Sequence, residues 1–249
     1  MEFLIGFGIA IMIGLTGVGG GVITAPVLTL FLGIPPAQAI GTALVFSAVV
    51  KAIVAPAYLI RRQVDFRILA FLLAGGLPGV IFGSILLQHL SAAQRRGPLL
   101  AVLGATVVIM ALVNLYRASK RERVVPVRDH ARWLPWIALP IGAEVGFSSA
   151  GAGALGSLVL MSLTPIPLAS VVGTDVVFGL GLSLAGGGIS LGAGNISAAL
   201  ALKLSIGGVA GAFVGANLLS LIPSRPLRVV LSLWLVSLGA QLCWRAFAA

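Results

Sequence analysis

Gly14-Leu15-Thr16-Gly17-Val18-Gly19-Gly20-Gly21-Val22-Ile23-Thr24-Ala25-Pro26 interrupts an apolar run that extends from 3 to 32, and Gly146-Phe147-Ser148-Ser149-Ala150-Gly151-Ala152-Gly153 interrupts a second run 132 positions later. The two interruptions belong to a longer repetition. Residues 14 to 115 recur at 146 to 247 without a gap, so that Ile34-Pro35 aligns with Ile166-Pro167, Gly41-Thr42 with Gly173-Thr174, and Val45-Phe46 with Val177-Phe178. The register holds through Gly75-Gly76 and Gly207-Gly208, Gly79 and Gly211, Gly83 and Gly215, and Arg96 and Arg228. Two apolar copies, each opening on a glycine cluster inside a hydrophobic stretch, form the pattern of carriers whose broken helices meet near the bilayer midplane.

The surrounding composition sets the solvent. The chain is 59% hydrophobic and 9% charged, against roughly a quarter charged in soluble domains, so the fold class is an all-α integral membrane protein. A net charge of +10 would point to nucleic acid in a soluble protein. Here the cations fall in short loops, where they report topology, and no nucleic-acid partner is expected; the partner is the lipid bilayer. Met1 to Leu15 lacks a basic leader and a small-residue cleavage pattern, so it reads as part of the protein and not as a removed signal peptide. Cys243 is the single cysteine, which excludes an intrachain disulfide and a multi-cysteine metal site.

Apolar runs lie at about 3–32, 37–60, 66–88, 98–116, 133–164, 168–192, 197–221 and 226–245, most of them near the ~20 residues that span a bilayer core. They divide the chain into repeat 1 (1–116), a basic cytoplasmic linker (117–132) and repeat 2 (133–249), each repeat holding four apolar segments of which the first is broken. If the broken segments cross, the copies are parallel, and ten loop cations oppose four. If they dip in and return, the second copy is inverted and eleven oppose three, because Arg225 and Arg228 join the basic side and Arg245 leaves it. Both splits satisfy the positive-inside rule, and inversion is preferred because inverted repeats are a common basis of alternating access.

Candidate site residues follow from the cost of polar groups in lipid. Three successive glycines lose helical propensity where no water can satisfy the backbone, so Thr16, Gly17, Val18, Gly19, Gly20 and Gly21, with Ser148, Ser149, Gly151 and Gly153 in the second copy, read as unwound substrate-binding loops. Half-helices starting at about Val22 and Ala154 would then offer free N–H groups and a positive dipole end to an anion. Thr42 and Thr174 form a second matched pair, read either as ligands or as hydroxyls bonded back to their own helix. Charge at membrane depth defaults to function: Lys51 is assigned to substrate binding, with Glu144 or Asp175 as its alternative partner, and Glu144 and Asp175 to proton or ion coupling. Lys203 can snorkel to the interface. Gly75, Gly79, Gly83 and their counterparts read as close helix packing. His89 and His130 have no ligand-spaced partners, and hydrolase and intramembrane-protease motifs are absent, so no metal, no cofactor and no enzyme activity is expected.

Taken together, the Gly14 to Pro26 stretch, Gly41-Thr42, Gly146 to Gly156 and Gly173-Thr174-Asp175 resemble the TauE/SafE family of sulfite exporters, over nearly the whole chain. The resemblance implies an inner-membrane carrier of small sulfur-containing anions such as sulfite or an organosulfonate, with the two glycine motifs as binding region. Ala152 and Ser148-Ser149 depart from the doubled triple-glycine pattern, which argues against a symmetric site. The expectation is a secondary transporter, an exporter working by alternating access around a midplane site. A passive anion channel, a carrier of a different anion and a non-transporting scaffold are the competing readings. A homo-oligomer is compatible with the sequence. No glycine-rich loop followed by Lys-Ser or Lys-Thr is present, so ATP is not the expected energy source.

Overall fold

In a computed structural model the chain is described over residues 2–16, 20–92, 96–119, 129–150, 152–218 and 224–247. The described residues form α1 (Glu2–Thr16), α2 (Gly20–Phe31), α3 (Pro36–Ile60), α4 (Phe66–Ala92), α5 (Arg96–Ser119), α6 (Leu134–Ser148), α7 (Ala152–Leu163), α8 (Leu168–Gly192), α9 (Ala198–Leu218) and α10 (Ser224–Phe247), with one 3-10 turn at Ala131–Trp133. α1 to α4 begin at 2, 20, 36 and 66, and α6 to α9 begin at 134, 152, 168 and 198, each 132 residues later. Among the described residues five helices are long and apolar enough to cross a membrane, at Pro36–Ile60, Phe66–Ser91, Gly97–Tyr116, Leu168–Gly192 and Val229–Ala246. The chain is a multi-pass membrane protein.

Local chemistry places the boundaries. Pro35 and Pro36 precede or open α3, where a missing N–H costs nothing because the first turn has no intrahelical acceptor for it. Asp65 starts α4 by accepting the Ile68 N–H on Oδ1 at 3.0 Å, an N-cap bond.

Glycines set the helix pairing. α1 packs along α9 with Gly207 on the Phe3 carbonyl, Gly211 on that of Phe7, and Gly6 on that of Leu204. α4 packs along α6 in the same way: Gly75 meets Pro135, Gly79 meets Leu139, Gly83 meets Ala143, and Gly146 meets Val80. Residue numbers rise together in both pairs, so the partners run in the same sense. A side chain at any of these positions would separate two backbones. This is the close-packing role expected of Gly75, Gly79, Gly83, Gly207 and Gly211.

The counterpart helices cross the other way. Gly41 on α3 lies against Ser190 on α8, Gly186 against Leu44, and Gly187 against Val45, so α3 and α8 run in opposite senses. α5 and α10 do likewise, with Gly97 near Ala246 and Gly104 near Gly239 and Cys243. α3 in turn runs with α9, since Thr42 bonds at Ser197, just before α9, and Phe46 packs on Gly208.

α2 is enclosed by the rest of the protein. Every residue from Gly20 to Thr29 is buried, and Thr24 and Thr29 return their hydroxyl protons to the carbonyls of Gly20 and Ala25 at 2.7 and 2.9 Å. A short helix buried over its first ten residues satisfies its polar groups internally, as the bilayer requires.

Candidate functional site

The helical path of the second half is interrupted at Ser149 and Ala150. Of the predicted loop residues, Gly17, Val18, Gly19 and Gly151 lie outside the described residues. Thr16 ends α1, while Gly20 and Gly21 stand in the first turn of α2 and Gly153 in that of α7. The half-helices begin at Gly20 and Ala152, two residues before the expected Val22 and Ala154. The reason is positional, because the four N–H groups of a first turn have no intrahelical acceptor and glycine there gives up little helical bonding.

The first turn of α2 meets the interruption of the second half. Gly21 abuts the carbonyl of Ser149, so closely that a Cβ at Gly21 would collide with it and with Ser149 Oγ at 2.8 Å. Ser149 Oγ donates to the Gly21 carbonyl at 3.3 Å. Ser149 itself caps α6 in the left-handed region, φ 62°, with its N–H on the Val145 carbonyl, a conformation that costs a non-glycine residue about 1–2 kcal/mol. The first-copy counterpart of Ser149 is Gly17. The serine therefore holds a glycine conformation and uses its hydroxyl to tie the second half to the first.

One turn earlier, Ser148 Oγ donates to Glu144 Oε1 at 2.6 Å and lies 3.2 Å from the Ala150 N–H. The other carboxylate oxygen, Glu144 Oε2, is buried and has no hydrogen-bond partner among the described residues. Past the break, Ser157 Oγ sits 2.6 Å from the Gly153 carbonyl and 2.8 Å from Asp175 Oδ2, so its one proton is shared between two acceptors. Asp175 is 6% exposed and presses on Gly156, where a Cβ would strike its carboxylate. Its charge acts on Lys51. Lys51 Nζ reaches Ser183 Oγ at 3.5 Å, and Ser183 Oγ reaches Ser47 Oγ at 3.4 Å.

Two polar clusters result: Ser148 and Glu144 beside the Gly21–Ser149 junction, and Ser157 with Gly153 and Asp175, whose charge also acts on Lys51, itself linked to Ser183. Of the two partners left open by the sequence, Asp175 is the one whose charge acts on Lys51. Ser47, Ser157 and Ser183 were not anticipated. A signal existed for Ser157: it and Asp175 both stand where the first copy has alanine, at Ala25 and Ala43, so a touching pair was changed together. Lys51 and Ser183 are themselves counterparts.

Thr42 and Thr174 are engaged elsewhere. Thr174 Oγ1 accepts the Asp65 N–H at 3.0 Å and Thr42 Oγ1 accepts the Ser197 N–H at 3.3 Å. The adjoining glycines admit the same loops, Gly173 lying on the Gln63 carbonyl and Gly41 on that of Asn195. Each Gly-Thr pair thus clasps the loop that precedes a helix of the opposite half, and neither hydroxyl is shown bonded back to its own helix. Lys203, exposed, pairs with Glu2 at 2.7 Å.

Comparison with known proteins agrees with this architecture. The family model described as Sulfite exporter TauE/SafE matches residues 2–242, and the chain belongs to that family. It is 24% identical to the probable membrane transporter protein YjnA of Bacillus subtilis over 96% of this chain and 97% of that protein. Probable membrane transporter proteins YdhB of Bacillus subtilis and one of Haemophilus influenzae are 26% and 28% identical, over 90% and 92% of this chain and 92% and 89% of theirs. No solved structure matches the chain significantly. The protein is a membrane transporter by family.

Proposed function

We propose that this protein is a secondary carrier that exports a small sulfur-containing anion, sulfite or an organosulfonate, across the inner (plasma) membrane from a site at the Gly21–Ser149 junction. The observation that carries the reading is that junction itself. A half-helix buried from Gly20 to Thr29, α2, has its first turn against Ser149, where the second half is interrupted. The free N–H groups of its first turn and the positive end of its dipole suit an oxyanion. Thr16, Gly17, Val18, Gly19, Gly20, Gly21, Ser148, Ser149, Gly151 and Gly153 form the binding region, and Lys51 supplies positive potential. Thr42 and Thr174 leave the binding set, because their hydroxyls already hold the neighbouring loops.

The mechanism rests on inverted repeats. α1, α3 and α9 run in one sense, and the start of α3 lies level with the start of α9. The chain must therefore return along α2 after α1, which makes the first segment re-entrant; α6 and α7 repeat the pattern against α4 and α8. The opposed crossings of α3 with α8 and of α5 with α10 support inversion directly. The units that rock are then exchanged between halves: α1 and α3 with α9 on one side, α6 and α8 with α4 on the other. The anion sits where they meet.

Purified protein in liposomes should exchange 35S-sulfite or 35S-sulfoacetate saturably, with counterflow. Gly21→Ala should abolish exchange in folded protein. Absence of saturable exchange with both anions, or ohmic current in its place, would refute the carrier reading.

A further inference from the structure

The two buried carboxylates of the second half are not equivalent. Asp175 is served by the Ser157 hydroxyl at 2.8 Å and by the charge of Lys51. Glu144 has one hydroxyl, Ser148 Oγ at 2.6 Å on Oε1, and nothing on Oε2. Of the elements packed on α6, α2 and α7 contain no ionisable side chain and α8 contains Asp175 alone. α4 holds Arg67 and His89, α5 holds Arg96, Tyr116 and Arg117, all in their end turns, and the 3-10 turn holds Arg132. No lysine or arginine lies within 4.0 Å of Glu144 among the described residues. An ionised carboxylate buried without a counter-charge is expensive in a low-dielectric setting.

Its position adds a second consideration. Glu144 lies one turn before the C-terminal end of α6, where the partial negative charge of the helix favours a cation and disfavours an anion. The first-copy counterpart is Met12, so only one of the two breaks carries this group. A metal cation such as sodium would need several oxygens converging on it, whereas a proton needs only the free lone pair on Oε2. We infer that Glu144 is the proton-carrying site that couples anion movement to the proton gradient, one proton binding to Oε2 from one side of the membrane and leaving to the other. This rests on the carrier reading above, and it assigns to Asp175 the distinct task of holding Lys51.

The test uses the full chain in liposomes with the membrane potential clamped. A one-unit pH gradient coupled to one proton should drive about a tenfold accumulation of 35S-sulfoacetate, with proton movement recorded by a trapped dye. Glu144→Gln should lose accumulation and proton movement out of proportion to any loss of counterflow exchange. Wild-type-like accumulation in Glu144→Gln, or accumulation driven by sodium and not by pH, would overturn the inference while counterflow keeps the carrier reading intact. Should Glu144→Gln not fold, infrared difference spectra of the wild-type protein on a pH step decide the matter. A titrating carboxyl band that Ser148→Ala perturbs supports the assignment, and no such band overturns it.

Discussion

Thr174→Val separates two meanings of the Gly-Thr pair. The side chain keeps its shape but loses the oxygen that accepts the Asp65 N–H at 3.0 Å. A part-buried donor left without its acceptor costs about 1–3 kcal/mol in soluble proteins, while hydrogen bonds measured in membrane proteins average about 0.6 kcal/mol. The loop end of α4 is reached by water more readily than the core, so a loss of about 1 kcal/mol is expected, equivalent to roughly 2–4 °C in Tm for a chain of this size. Gly173→Ala should be worse. A Cβ there would strike the Gln63 carbonyl oxygen and lie 2.9 Å from its carbon, where ordinary contact begins at 3.4 Å. The loop must therefore move by at least the 0.5 Å difference, an overpacking cost of about 1–3 kcal/mol or more.

The assay is thermal unfolding in detergent beside 35S-anion counterflow in liposomes, with Thr174→Ser as the control that retains the hydroxyl. The order of stability should be wild type, Thr174→Ser, Thr174→Val, Gly173→Ala, and folded Thr174→Val should still exchange anion. Thr42→Val and Gly41→Ala should repeat the series, since Thr42 accepts the Ser197 N–H at 3.3 Å. Unchanged stability with abolished exchange in Thr174→Val would refute the clasp and return the hydroxyl to the substrate site.

Two further outcomes test the backbone and the surface. Gly194 has φ +70° and open space around a Cβ, so Gly194→Ala should lose on the order of 1 kcal/mol through conformation alone. Gly188, helical and equally open, should gain about 0.5–1 kcal/mol as alanine, and reversed signs in thermal unfolding would contradict the assigned turn. The Glu2–Lys203 pair has side chains 37% and 59% exposed; Glu2→Gln should therefore change stability by less than about 1 kcal/mol and leave counterflow untouched. A large loss of flux would mean that this pair gates the path.

What could be read from the chain alone was whatever repetition and punctuation record. Prolines and glycines mark where helices stop, so the 132-residue register places α3, α8 and the break at Ser149. The sense of the second copy was not readable, because charge counts of ten to four and eleven to three both satisfy the same rule. The inverted sense proposed above is supported by contacts such as Gly41 with Ser190 and Gly97 with Ala246, which no local pattern encodes. The start of the half-helix was not readable either, since Gly20 and Gly21 look like breakers and yet fit a first turn. The tasks of Thr42 and Thr174 were hidden for a related reason: their partners lie 155 and 109 residues away, and only the opposed crossing of α3 and α8 brings them together.

That crossing also accounts for where the copies agree and where they differ. Away from the α3–α8 crossing, each copy holds a loop of the other, so the same two residues are needed twice: Gly41-Thr42 and Gly173-Thr174 do one job in each half. At the centre, a residue meets its own counterpart, and identity becomes a fault. Lys51 touches Ser183, the position to which the repeat maps it. A second lysine there would set two ammonium groups together, at a cost of about 4 kcal/mol for 4 Å and an effective dielectric of 20. Conversion of Ser183 to lysine should accordingly destabilise the protein, whereas Lys51→Ser with Ser183→Lys moves the cation to the other half and separates it from the Ser157–Asp175 side. If that exchange preserved anion flux unchanged, the asymmetry would be incidental; loss of flux in a folded protein would place the single cation, on the side that faces Asp175, among the requirements of transport.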